Sequence, residues 1–302
     1  MKIGVIGNGF VGKATNILSC RGVNILSYDL DPLLCQPVGT TLDDVCQTDI
    51  IFISVPTPMT ISGECSLKYI DSVVLELSQR VNFNEKLVVI RSTVPPGTSD
   101  RLNCYFMPEF LTEKNYHHDF VHNENWIFGL KNNTQNNTQN NTQNNTQNNT
   151  QNNTQNNTFK AVVTELINTS FRYGKIKHST IHFLLNSEAE MVKMFRNNFL
   201  ALKVSFCNEI EEFCRKKGVD YDNVRDIAVL DSRIGSNHTR VPGHDGRRGY
   251  GGTCFPKDSN SLLFEMNRHD MTSYIVKAMV ERNENVDRVD RDWENNKGRA
   301  VE

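Results

Sequence analysis

The sequence predicts an α/β chain: a doubly wound parallel sheet, then a long helix that opens an all-helical domain. Three observations predict it. Strand and helix patterns alternate from the first residue to about residue 185. The strands among them are short, continuous apolar runs, which belong in a parallel sheet covered on both faces. Beyond them the pattern turns helical, and its first helix is about 30 residues long, or about 45 Å.

Residues 2–6 (KIGVI) form a β-branched run closed by Gly7, the first strand. A helix is expected over 9–21 and a second strand over 23–28, closed by Asp29. Strand, helix and strand in so short a span make a βαβ unit with a right-handed crossover. Residues 49–55 (DIIFISV) and 86–91 (KLVVIR) read as buried strands, with a helix over 67–80 between them. Residues 126–130 and 176–185 read as further strands, and 159–171 as a helix. Ser187 and Glu190 fit a capping box, S-x-x-E, at the start of the long helix, and Gly218 supplies its stop. The rest reads as helical with one long loop over 235–255, then a charge-mixed tail from 281.

Residues 132–158 read NNTQ six times and then NNT, a tract of 27 residues among 302. With neither charge nor apolar side chain, it is expected to be a disordered insert in a strand-to-helix loop. The expected domains are therefore 1–185, with the 132–158 insert, and 186–302. The tract also depresses the apolar fraction, which is 38% over the whole chain.

Lysine and arginine number 33 against 35 acidic residues, a net charge of −2, so no bulk positive field exists to grip nucleic acid. No run of about 18 apolar residues occurs, so no membrane span is expected. The apolar start breaks at Gly7 and Asn8 without a signal-peptide core, and a cytoplasmic location is expected. The eight cysteines form no C-x-x-C pair and no zinc spacing with histidine, so no metal is expected. Most read as reduced, small core residues.

Gly7-Asn8-Gly9-Phe10-Val11-Gly12 is G-x-G-x-x-G, placed after a strand and opening a helix, with Asp29 at the end of the next strand. That is the Rossmann-type fingerprint. Gly7 permits the tight turn, Gly9 the approach of a pyrophosphate to the helix N-terminus, and Gly12 close helix–strand packing. Asp29 suits ribose hydroxyls and repels a phosphate, which favours NAD over NADP. A P-loop reading of Gly7 to Lys13 fails, because Ala14 stands where the magnesium-binding hydroxyl belongs.

In Gly249-Tyr250-Gly251-Gly252-Thr253-Cys254-Phe255-Pro256-Lys257-Asp258, three glycines precede a thiol, with a cation and a carboxylate close behind. Such a thiol can serve as a nucleophile toward a carbonyl, or be a small buried residue in a turn. This decapeptide resembles the signature of the nucleotide-sugar 6-dehydrogenases. Further blocks resemble that family in the same order: Ser54-Val55-Pro56-Thr57-Pro58, Ser92-Thr93-Val94-Pro95-Pro96-Gly97-Thr98, and Pro108-Glu109-Phe110-Leu111-Thr112-Glu113 with Thr112 in place of the usual arginine. So do Glu188-Ala189-Glu190 through Lys193 and Asn197, Asp231-Ser232-Arg233-Ile234-Gly235, and Val241-Pro242-Gly243 to Gly249.

The resemblance implies oxidation of a sugar C6 alcohol to a carboxylate in two hydride transfers to NAD, with UDP-glucose the expected substrate. It implies Cys254 as the nucleophile, forming a thiohemiacetal and then a thioester. Lys193 and Asn197, four apart on one helix, would stabilise the oxyanion, and Glu113 and Asp258 would orient water. Thr93 would hold that water or touch the cofactor. Cofactor contacts are expected from Gly7, Gly9, Val11, Gly12, Asp29, Thr57, Thr93, Glu113 and Lys257. Substrate contacts are expected from Glu109, Phe110, Leu111, Lys193, Asn197, Arg233 and Gly251. A homodimer through the helical domain is expected, which would make that part a dimerisation domain. The family normally continues into a second Rossmann-like domain, for which this chain leaves no room. An NAD-binding subunit without independent turnover is therefore the alternative. A hydroxyacid-type dehydrogenase making one hydride transfer is a third reading, against which Cys254 argues.

Overall fold

The computed structural model describes residues 1–132 and 142–302, with 142–152 described by backbone only. The chain divides into two compact units, Met1–Pro56 with Leu67–Lys193, and Thr57–Ser66 with Met194–Glu302. The division between these units falls inside the long helix. Its first turn is tied to the first unit by Asn186, whose Nδ2 donates to Asp100 Oδ1 at 2.7 Å and to the Cys104 carbonyl at 2.9 Å.

The first unit is built on seven strands: β1 Lys2–Ile6, β2 Asn24–Tyr28, β3 Ile50–Ile53, β4 Leu87–Ile90, β5 Tyr105–Phe106, β6 Asn125–Leu130 and β7 Thr180–Leu185. They lie in the order β2-β1-β3-β4-β5-β6-β7. Every residue of β3 (IIFI) and β4 (LVVI) is buried, as both-face coverage requires. Its helices are α1 Phe10–Asn16, α2 Leu42–Cys46, α3 Lys68–Ser78, α4 Thr98–Arg101, α5 Tyr116–Val121 and α6 Thr142–Arg172, with the first turns of α7 Asn186–Lys217. Alternate strand residues feed two cores. Ile50, Phe52 and Val89 pack with Ala14, Leu18, Phe159 and Val163. Ile51, Ile53, Val88 and Ile90 pack with Val45, Ile70, Val74 and Leu77.

The sheet is parallel except between β5 and β6, which run antiparallel. The doubly wound, mostly parallel sheet expected from the sequence is present, with this one antiparallel step. β5 has only two residues, and the connection from it to β6 holds a 3₁₀ turn, Glu113–Asn115, and the short α5.

The expected disorder of the tract is corrected over residues 142–158. Residues 142–158 are the first part of α6, continuous with the apolar residues that dock it. Extending an existing helix adds a hydrogen bond per residue without a nucleation cost. Gln155 and Asn156 are buried: Gln155 Nε2 donates to the Phe83 carbonyl at 2.9 Å and Asn156 Nδ2 to the Lys131 carbonyl at 3.1 Å. This end of the repeat is accommodated because these two amides satisfy buried carbonyls. Residues 133–141 of the tract lie outside the described residues.

The second unit holds the remainder of α7 with α8 Tyr221–Ala228, α9 Phe255–Arg268 and α10 Ile275–Arg282. Ala201, Tyr250, Met279 and Val280 form its main core. The tail is not simply solvated. Trp293 is buried with Met59 and Ala300, and the Met59 amide donates to the Ala300 carbonyl at 2.8 Å. That contact explains why residues 57–66 belong to this unit. Among the described residues, no helix is long and apolar enough to cross a membrane.

Candidate active site

At the cofactor loop, Gly7 has φ +86° and its amide donates to the Tyr28 carbonyl at 2.9 Å. Gly9 caps α1, and nothing lies within 4 Å of where its Cβ would stand. Open space at that position is what a diphosphate reaching the helix amides needs. Val11 is the second residue of α1, one before Gly12. Asp29 Oδ2 accepts from the Asn8 amide at 2.6 Å, and Oδ1 from the Asp31 amide at 3.0 Å, so its carboxylate is held beside the glycine turn. A Cβ on Gly12 would overlap the Gly7 carbonyl oxygen. Backbone cannot yield as a flexible side chain can, so Gly12→Ala is expected to cost about 1–3 kcal/mol and to weaken NAD binding. Urea unfolding and calorimetric titration check it. Wild-type values in both would contradict the role given to Gly12.

Also in the first unit, Lys193 Nζ donates to Glu109 Oε1 at 2.6 Å, with both side chains at most 5% exposed. The other Glu109 oxygen accepts from the Leu111 amide at 2.9 Å. The Lys193 ammonium stands 5.8 Å from the Phe110 ring centroid. Glu113, by contrast, is exposed at the start of a 3₁₀ turn, Glu113–Asn115. Thr93 is partly buried in the loop after β4. Just before it, Ser92 Oγ donates to the Val55 carbonyl at 2.6 Å.

The sequence reading missed Arg91, which is 2% exposed, donates to Thr15 Oγ1, and lies 5.5 Å from the Phe120 centroid. Burial pushes its pKa down to about 10, against the pull of Glu109. An arginine ending an apolar strand looks like a solvated boundary, and nothing in its local pattern signals burial.

In the second unit, Cys254 is partly buried and caps α9, whose N-terminal partial charge favours an anion there. Asp258 is 1% exposed. It accepts from Lys257 Nζ at 2.6 Å on one oxygen and from Asn197 Nδ2 at 2.6 Å on the other. Burial would depress the Lys257 ammonium, but Asp258, with the Cys65 and Cys254 thiols nearby, outweighs it and raises its pKa. Cys65, near Thr57 and Lys257, is itself pushed up to about 11 by burial.

Two regions of the sequence match family models. Residues 38–146 match the NAD binding domain of the UDP-glucose/GDP-mannose dehydrogenase family, and residues 187–285 match its central domain.

The chain belongs to the UDP-glucose/GDP-mannose dehydrogenase family.

Its relatives include the UDP-glucose 6-dehydrogenase TuaD of Bacillus subtilis, 29% identical over 94% of this chain and 63% of that protein. The UDP-glucose 6-dehydrogenase of Rickettsia typhi is 26% identical over 94% of this chain and 67% of that one. The chain thus spans about two thirds of the length of these curated relatives. The fold is also that of a UDP-glucose dehydrogenase from the archaeon Pyrobaculum islandicum, with TM-score 0.73 and 24% identity over 94% of this chain and 68% of that one.

Membership in the UDP-glucose/GDP-mannose dehydrogenase family makes NAD the cofactor, and the loop geometry fits it: open space at Gly9, left-handed Gly7 and the held Asp29 carboxylate. Leu111 is a core residue of the first unit. Arg233 is exposed and bonded to Asp231, with Nε–Oδ1 at 2.9 Å. A Cβ at Gly251 would meet Asp292 Oδ1 at 2.5 Å and an Arg288 nitrogen at 2.7 Å, so this glycine makes room for the tail. Thr57 is buried in the second unit.

Proposed function

We propose that the chain carries out NAD-dependent, four-electron oxidation of UDP-glucose to UDP-glucuronate through a thiohemiacetal and thioester on Cys254. The observation that carries this reading is a thiol at the N-terminus of α9, one turn before a buried Lys257–Asp258–Asn197 cluster. A single oxidation of an alcohol needs no nucleophile, whereas carrying an aldehyde on to an acid does.

Bound NAD, held by Gly7, Gly9, Val11, Gly12 and Asp29, supplies the hydride acceptor for each oxidation. Lys193, bonded to Glu109, would stabilise negative charge developing on the C6 oxygen, and Asn197 would donate to the same atom. The Cys254 thiolate then adds to the aldehyde carbon, and the carbonyl oxygen takes up a proton. After the second oxidation that oxygen has lost its proton and the carbon is a thioester. Water adds to it, the C–S bond breaks, and the carboxylate leaves with the thiol restored. Glu113 and Asp258 would orient that water. Asp258 already accepts from Lys257 and Asn197 and would hold both in place.

A homodimer is part of this reading. Phe195, Phe199, Phe206 and Phe213 are exposed, and at 100° per residue they share one stripe of α7. A contiguous apolar stripe of that kind suits a second copy of the same surface. Light scattering that returned the mass of one chain would remove it.

The test is NADH formation by the purified chain over UDP-glucose, GDP-mannose and UDP-N-acetyl sugars. UDP-glucose is expected to give the fastest rate. A folded chain that binds NAD and forms no NADH with any of them would sink the proposal and leave the NAD-binding subunit without turnover.

A further inference from the structure

Glu190 fits a capping box with Ser187 in the sequence, but its carboxylate does something else. It is fully buried. One oxygen accepts from the Gly97 amide at 2.5 Å and the other from the Ser99 amide at 2.8 Å. The helix start is served instead by Glu188, which accepts from the Leu185 amide at 2.8 Å. Gly97 and Ser99 close the loop Ser92-Thr93-Val94-Pro95-Pro96-Gly97, whose other end is fixed by the Ser92 bond to Val55. Glu190 therefore reaches more than ninety residues back along the sequence to hold this loop. It does so from the same face of α7 that carries Lys193, three residues on.

We infer that Glu190 is a positioning residue: it ties the loop bearing Thr93 to the helix bearing Lys193 and so fixes the backbone beside the cofactor. The inference rests on the reading of the first unit as the cofactor domain. Pro95 and Pro96 stiffen the loop but donate no hydrogen bonds, so the two amides after them are where it can be held from outside. A carboxylate offers an acceptor to each amide. An amide side chain or a protonated carboxyl has one carbonyl oxygen for both.

Burial pushes the Glu190 pKa up to about 7, with Asp100 on α4 adding to the rise and the Ser99 and Gly97 hydrogen bonds opposing it. Asp100 is itself bonded to Asn186 on α7. The other ionic groups on this turn are engaged elsewhere, Lys193 with Glu109 and Glu188 with the Leu185 amide. Because this folded-state pKa is raised, the residue's contribution to stability falls as pH rises from the ordinary carboxylate range to about 7. The two-oxygen clamp forms as the pH rises through about 7.

The experiment compares the full chain with Glu190→Gln, Glu190→Asp and, as a control for helix capping, Glu188→Gln. NAD affinity is measured by calorimetry between about pH 6 and pH 8, and amide exchange is followed over residues 92–104. Glu190→Gln is expected to weaken NAD about tenfold at the upper pH and to speed exchange at Gly97 and Ser99 by a similar factor. Its affinity should not vary with pH, whereas wild-type affinity should fall toward it on acidification. Glu188→Gln should match wild type. If Glu190→Gln does not fold, Glu190→Asp, one methylene short, carries the same comparison. Unchanged affinity and exchange in the Glu190 variants would overturn the inference, as would equal weakening by Glu188→Gln. Wild type failing to bind NAD would instead overturn the cofactor reading. The exchange rates at Gly97 and Ser99 would then decide the clamp alone.

Discussion

Replacing Cys254 with serine is expected to cut steady-state formation of the acid by at least about a thousandfold, which is about 4 kcal/mol of barrier. In the proposed reaction the first oxidation makes no use of the thiol. The second requires the aldehyde to be captured, and a serine hydroxyl at ordinary pKa is a far weaker nucleophile than a thiolate. The substitution removes no packing of consequence. Cys254 is partly exposed and serine is nearly isosteric, while the first turn of α9 is held by the Asp258 amide bond to the Cys254 carbonyl at 2.9 Å. NAD affinity and melting temperature should therefore stay close to wild type while acid formation is lost. A serine variant within tenfold of wild type would remove Cys254 from the mechanism.

The second large effect is on stability. Lys193 and Glu109 are paired at 2.6 Å with side chains 3% and 5% exposed. Removing one partner of such a pair strands a charge out of water, at a cost of about 3–5 kcal/mol. Lys193→Ala is expected to lose that much in urea unfolding. The double variant Lys193→Met with Glu109→Leu should recover most of it, since well-packed apolar residues can replace a buried ion pair without net loss. The double variant should nonetheless be inactive, because the cation for the oxyanion is gone. Additive losses across the cycle would show that the two side chains are not coupled.

Much of this fold was legible in the sequence because its signals are local. KIGVI, IIFI and LVVI are apolar runs of strand length, and the glycine fingerprint sits where one strand meets one helix. The antiparallel step at β5 was not legible. Tyr105-Phe106 is too short to show a period, and strand direction is fixed by the connection rather than by the residues themselves. The NNTQ tract misled for a related reason. Its composition speaks only to its capacity to form a core of its own, and Gln155 and Asn156 are buried through carbonyls supplied by Phe83 and Lys131.

The candidate site divides in the same way. Lys193, Asn197, Cys254 and Asp258 stood out because they fall in ordered motifs. Their partners did not. That Glu109 meets Lys193, and that Asp258 takes Asn197 and Lys257 together, depends on side chains brought close by folding. Glu190 illustrates the limit best. Spacing alone made it a local cap, and only the tertiary fold supplies the amides of Gly97 and Ser99.

The central claim is that one sugar is oxidised twice on one chain with Cys254 holding the intermediate. The most direct measurement is the stoichiometry of NADH formed against UDP-glucose consumed, with the acid product quantified in the same reaction. Two NADH per sugar with one acid formed is the predicted result, with the acid and the second NADH lost in Cys254→Ser. One NADH per sugar, or two NADH per sugar undiminished in Cys254→Ser, would contradict it.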